Sequence, residues 1–95
     1  MVGNVGPTIA VLVAMKASAG ELSAHLWDLR AHAEAKLRCL TRLQQLVARY
    51  ERTSDAAIRA KTCRQIKTDM NDLVEIALSL RSVSRLALAA AKNLH

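Results

Sequence analysis

The sequence predicts an all-α fold, a long antiparallel helical hairpin. Three observations predict it: a composition that favours helix almost throughout, a seven-residue apolar repeat from Thr8 to Tyr50, and one cluster of turn-forming residues at Thr53, Ser54 and Asp55. Ala, Leu, Arg and Lys dominate the 95 residues, with three Gly, one Pro, no Phe, and Trp27 and Tyr50 as the two aromatics. Such a mix suits helix and disfavours sheet. The length sets one domain over residues 1–95.

Residues 1–6 read as a flexible N-terminus, and Pro7 opens the first helix, because its missing N–H would be unpaired at that position anyway. The first helix is expected over 7–52. With Leu26 as position a, the a residues are Leu12, Ala19, Leu26, Ala33, Leu40 and Val47. The d residues are Thr8, Met15, Leu22, Leu29, Lys36, Leu43 and Tyr50. Thr8 and Lys36 are the exceptions to an otherwise apolar, coiled-coil-like seam. Leu37 and Leu46 widen it toward a bundle face. Lys36 in a d lane either marks register or lays its stem along the seam with the ammonium in water. "SAGE", Ser18 to Glu21, has the form of a capping box, and Gly20 weakens the helix there. A kink or break near residues 18–20, giving three helices, is the competing outcome. The register passes through it unbroken and favours a continuous helix.

The turn is expected at residues 53–54, with Ser54 as N-cap and Asp55 in the first turn of a second helix over 55–93. In that helix Cys63, Met70, Ala77, Ser84 and Ala91 form one lane. Ile66, Leu73, Leu80, Ala87 and Leu94 form its neighbour, flanked by Val74, Ile76, Val83 and Leu88. A connection this short folds the helices back antiparallel. That sets the alanine-rich start of one against the alanine-rich end of the other. A chain of this size buries only about 60–65% of its unfolded surface. Its thin Leu and Ala core therefore calls for a partner: a second copy, as a homodimer, or another helical protein that completes the bundle.

His25, His32 and Cys39 stand seven residues apart and invite a metal reading. Seven residues are two turns, about 10.5 Å of rise, whereas ligands on one zinc lie about 2.0–2.3 Å from it. Two histidines on one helix share a metal at i, i+4. The one such pairing here is Asp28 with His32, which is half a site. The interval is a packing period, and no metal or cofactor is expected. Cys39 and Cys63 make no disulfide framework and suit a reduced, cytoplasmic setting.

No Gly-rich phosphate loop, nucleophile elbow or spaced carboxylate pair is present, Asp69 and Asp72 included. A pair of helices offers no cleft of converging polar groups, so an enzyme is not expected. The apolar run Val5 to Met15 followed by "ASA" at 17–19 resembles a secretory signal. However, no cation precedes it and Lys16 sits at the cleavage region. It is also shorter than the about 20 residues a transmembrane helix needs. Secretion stays the lesser alternative to the cytoplasm.

The formal charge of +6 is unevenly placed. Residues 36–67 hold nine cations, Lys36, Arg38, Arg42, Arg49, Arg52, Arg59, Lys61, Arg64 and Lys67, against Glu51 and Asp55, a net of +7. The hairpin therefore has a basic tip.

Two functions of different class follow. The first is a non-enzymatic interaction module: a small adaptor, chaperone or assembly subunit. It would dock an apolar face built from Leu22, Leu26, Leu29, Leu40, Leu43, Val47, Ile66, Met70, Leu73 and Leu80. The second is a basic dimeric hairpin that binds nucleic acid or another acidic partner by charge and shape. It would use Arg38, Arg42, Arg49, Arg52, Arg59, Lys61, Arg64 and Lys67. Small RNA-binding hairpin dimers share that architecture. So do the hairpin subunits and co-chaperones of secretion systems, a third class, though no motif ties this chain to them. The "WxG" turn of the secreted WXG-type hairpins is missing, and Trp27 lies mid-helix in "LWDL".

Overall fold

In a computed structural model the chain forms two helices, α1 over Val2–Arg52 and α2 over Ala56–Lys92. They make an all-α helical hairpin, with no strand among the described residues. The structure describes residues 2–94, and side chains from residue 19 onward. Two units are distinguished along the hairpin: residues 1–30 with 81–95, and residues 31–80.

α1 begins at Val2, so residues 2–6, expected as a flexible leader, are helical. Once a helix is nucleated, each further residue adds a backbone bond at little cost. The side chains of the lanes before Ala19, including Thr8, Leu12 and Met15, lie outside the described residues, as does the cleavage-like "AS" of residues 17–18. At Gly20 the helix continues unbroken within α1, and no described residue takes a positive φ. The three-helix alternative is therefore set aside. The uninterrupted lanes on either side hold the helix through a residue that costs about 1 kcal/mol relative to Ala.

The helices are joined by residues 53–55. The N-cap is Asp55, not Ser54. Its Oδ1 accepts from the N–H groups of Ala57 at 2.9 Å and Ile58 at 3.1 Å, while its own carbonyl accepts the first helical bond, from Arg59 N–H at 2.9 Å. A carboxylate reaches two orphan donors at once and meets the positive end of the helix dipole, which a Ser hydroxyl does less well. α1 closes with Thr53 N–H donating to Arg49 C=O at 3.1 Å, and Arg49 and Arg52 occupy its last turn, where cations suit the dipole. Thr41 and Thr68 return their hydroxyl protons to Leu37 C=O and Arg64 C=O, four residues back, and so sit inside helices without competing for backbone donors.

In the unit of residues 31–80 the antiparallel pairing is fixed by three contacts. Cys39 Sγ donates to Asp69 C=O at 3.4 Å. Arg42 Nε donates to the Asp69 carboxylate. The Arg59 guanidinium lies over the Tyr50 ring, 4.4 Å from its centroid. The buried side chains here are Cys39, Leu43 and Thr62. In the unit of residues 1–30 with 81–95 the buried ones among the described side chains are Val83, Ala87 and Ala90, with Leu22, His25 and Leu29 half-buried. The small Ala side chains at that seam suit close helix approach.

Asp55→Ala is expected to lower stability by about 1 kcal/mol through the lost cap, read from the urea midpoint at unchanged slope. Gly20→Ala is expected to raise it by up to about 1 kcal/mol. A Cβ there meets nothing within 4 Å, so the gain in helix propensity is not offset by a clash. Its readout is the thermal midpoint.

Candidate functional site

The burial pattern divides the heptad differently from the sequence expectation. On α1 the lane of His25, His32, Cys39 and Leu46 faces α2 together with the d lane of Leu22, Leu29, Lys36, Leu43 and Tyr50; every one of these is buried or half-buried. The a lane of Ala19, Leu26, Ala33, Leu40 and Val47 is exposed throughout. On α2 the inward lanes are Ile66, Leu73, Leu80 and Ala87 with Thr62, Asp69, Ile76, Val83 and Ala90. The expected Cys63, Met70, Ala77, Ser84 and Ala91 lane lies at or beyond the edge, with only Cys63 half-buried. The d-type lanes face inward from Leu22 to Tyr50 on α1 and from Ile66 to Ala87 on α2; Leu94, expected in the same lane, lies past the end of α2 and is exposed. The a-type lanes belong to the outside, and the lanes on the other flank of d close the hairpin.

His25, His32 and Cys39 therefore belong to the seam. The Cys39 thiol is spent on the Asp69 carbonyl. Among the described residues no group of three or more His, Cys, Asp or Glu is placed to hold a metal ion. Cys39 and Cys63 are both free thiols.

Within residues 31–80 the outward lanes make an apolar groove of about 530 Å³, open to solvent. Leu43, Ile66 and Leu73 form its floor. Its walls are Leu40 and Val47 on α1 and Met70 on α2, with Gln44, Ala48 and Glu51 on the α1 side. Leu40, Val47 and Met70 stay 37%, 41% and 45% exposed. Six of the ten residues expected to form the apolar face meet here: Leu40, Leu43, Val47, Ile66, Met70 and Leu73. Leu22, Leu29 and Leu80 are half-buried and do not line it, and Leu26 stands exposed outside it.

The lanes that flank this groove are nearly free of charge. On α1 they run Ala33, Leu37, Leu40, Gln44, Val47 and Glu51, and on α2 Ala60, Cys63, Lys67, Met70, Val74 and Ala77. Glu51 and Lys67 are the charged members. The other cations of the basic tip sit elsewhere around the helices. Arg38, Arg49, Arg52, Lys61 and Arg64 are exposed. Arg59 is stacked on Tyr50, and Arg42 is bound to Asp69, whose hydrogen bond and charge raise its pKa above the ordinary guanidinium value.

Two features escaped the sequence reading. Thr62 is the most buried side chain, at 1% exposure; a polar residue gives no hydrophobic signal, and only the α2 lane it shares with Val83 and Ala90 marks it. Trp27 is 67% exposed, beside Leu26 and with Arg30 lying 5.7 Å from its ring centroid. Its position opposite the d lane is the signal that marks it as outward. With the geometry in hand, comparison with known protein families, curated proteins and solved structures finds nothing that matches this chain. No helix among the described residues is long and apolar enough to cross a membrane.

Leu43→Ala, at the groove floor and in the seam, is expected to cost about 2–4 kcal/mol. Trp27→Ala should leave stability within about 0.5 kcal/mol. Urea unfolding of the two variants beside the parent chain measures both.

Proposed function

We propose that this protein is a non-enzymatic helical interaction module, a small adaptor, chaperone or assembly subunit that docks its groove on another helical surface. The observation that carries this reading is the exposure of Leu40, Val47 and Met70 along a strip whose charged members are Glu51 and Lys67 alone. Burying such side chains is worth about 1.5–3 kcal/mol each relative to leaving them in water, so a complementary apolar helix face gains from covering them. The groove is lined by carbon except for Gln44 and Glu51. It offers no converging acid, base and nucleophile, which supports a binding role over a catalytic one. Free thiols at Cys39 and Cys63 suit a reduced compartment, and we assign the cytoplasm on that ground.

The basic tip supports a second reading, attraction to nucleic acid or another acidic partner, because its cations are exposed and lie off the groove. It is the weaker one. Tyr50, the one aromatic at the tip, is covered by Arg59 and is not offered for base stacking. Arg42 is already neutralised by Asp69.

The test is purification of the full chain from its native cells beside Met70→Lys and Val47→Lys. The expected result is a helical protein, or a second copy, that remains bound to the parent chain and to Trp27→Ala and is lost from both groove variants. A chain that emerges without any bound protein, or one whose bound protein ignores the groove variants, would overturn the docking role.

A further inference from the structure

We infer that the occupant of the groove is a second copy of this chain, lying antiparallel to the first about a two-fold axis at the level of Leu40 and Met70. The inference rests on the docking reading above and names its partner. Four observations converge on it.

The first is the repeat itself. A hairpin that pairs through d and one flank leaves its a lanes facing where the axis of a four-helix bundle would run. Both helices leave the same kind of lane on the same side of the same floor. A two-fold contact needs one patch that complements itself, and two equivalent lanes over a shared floor form such a patch.

The second is charge. The +7 of residues 36–67 gathers around the turn, so parallel hairpins would set two basic tips side by side. Antiparallel hairpins keep the cations nearest the turn apart: Arg49, Arg52, Arg59 and Lys61 lie nine or more residues from the axis, so they stand about 27 Å or more from their counterparts, beyond the Debye length of about 8–10 Å. The flanking lanes agree. With α1 running antiparallel to α1 of the copy about Leu40, Arg30 comes within one residue of the level of Glu51 of the copy. With α2 against α2 about Met70, Lys67 comes within one residue of the level of Val74 of the copy. The dimer thus gains two Arg–Glu pairings, one Arg30 from each copy.

The third is volume. In the same register the layer of Val47 and Cys63 comes level with Ala33 and Ala77 of the copy. Larger side chains therefore face smaller ones, as interdigitating layers require. Leu40 and Met70 meet their own counterparts at the centre.

The fourth is area. The flanking lanes run over about 27 Å of helix at 1.5 Å per residue and span two helices of about 10 Å each, a strip of about 540 Å² before side-chain relief. That is of the order of the roughly 800 Å² each partner of a standard stable interface covers.

The experiment is sedimentation equilibrium of the full chain, with disulfide trapping to read the register. A mass of twice 10.4 kDa is expected, with Met70→Lys weakening the dimer by about 100-fold or more and Trp27→Ala leaving it unchanged. Ala77→Cys should form covalent dimers under mild oxidation through Cys63 of the second copy, and Cys63→Ala should abolish them. Within one chain the two thiols stand about 21 Å apart along one helix and cannot join. Ala77 is exposed, so this arm does not depend on how Met70→Lys folds. A folded monomer overturns the second copy. Trapping of the parent chain through Cys63 alone overturns the register about Leu40 and Met70, because Cys63 would then face its own counterpart. If that monomer still binds another helical protein in a Met70-dependent way, the docking role stands and only its occupant changes. If it binds none, both fall.

Discussion

Two helices can cover only one flank of a three-lane face. Each helix here carries apolar residues at a, d and on the far flank of d, and the hairpin closes through d and that far flank. Everything else in the structure depends on this choice. It puts Cys39 and Leu43 inside, leaves Leu40 and Val47 outside, and sets Met70 across from them on α2. Had the hairpin closed through a and d, the groove would vanish and the Cys39 lane would face water. The half-polar character of the inward flank is consistent with the closure seen. His25 and His32 tolerate the edge of a two-helix seam, and Asp69 is anchored there by Arg42 while its backbone carbonyl takes the Cys39 proton.

The segregation of charge reinforces the division. Of the nine cations between residues 36 and 67, Lys67 alone lies in the lanes flanking the groove. The rest occupy the seam or the outer and rear lanes, two of them held by Asp69 and Tyr50. Covering the groove therefore desolvates little charge, while the exposed cations keep the assembly in solution. The apolar groove and the basic tip are separate surfaces on the same residues 31–80, and occupancy of one does not consume the other.

The hairpin was legible in the sequence because its signals are local and redundant. The seven-residue repeat and the Thr53–Asp55 break point the same way. The d lanes were legible too, since d is central to the apolar face whichever flank closes. The flank itself was not. Heptad lettering reports that a and d are apolar, but whether a second helix approaches from the a side or the opposite side depends on packing between chain segments more than twenty residues apart. Leu40 and Leu43 look alike in the sequence, and one is 37% exposed while the other is 6% exposed. The cap was misassigned for a different reason. Ser54 and Asp55 are both good N-caps, and a one-residue difference lies within the ambiguity of helix boundaries. Gly20 was the reverse case: a local weakness that the continuous lanes on both sides overrode.

Among the described side chains, those from residue 19 onward, six are buried, a thin interior for two helices. The unit of residues 31–80 encloses Cys39, Leu43 and Thr62, one of them polar, and a side chain at a two-helix seam has neighbours on only part of its surface. Small scaffolds reach stability by adding disulfides, metal or association. Here the two thiols are free, and the described residues group no metal ligands. Association is the route that the proposed docking would supply, and it would act by mass action: a partner that binds only the folded hairpin stabilises it in proportion to the logarithm of its concentration. Under that proposal folding and docking form one linked equilibrium. The exposed a lanes contribute little while the chain is alone, and they would become interior once the groove is filled.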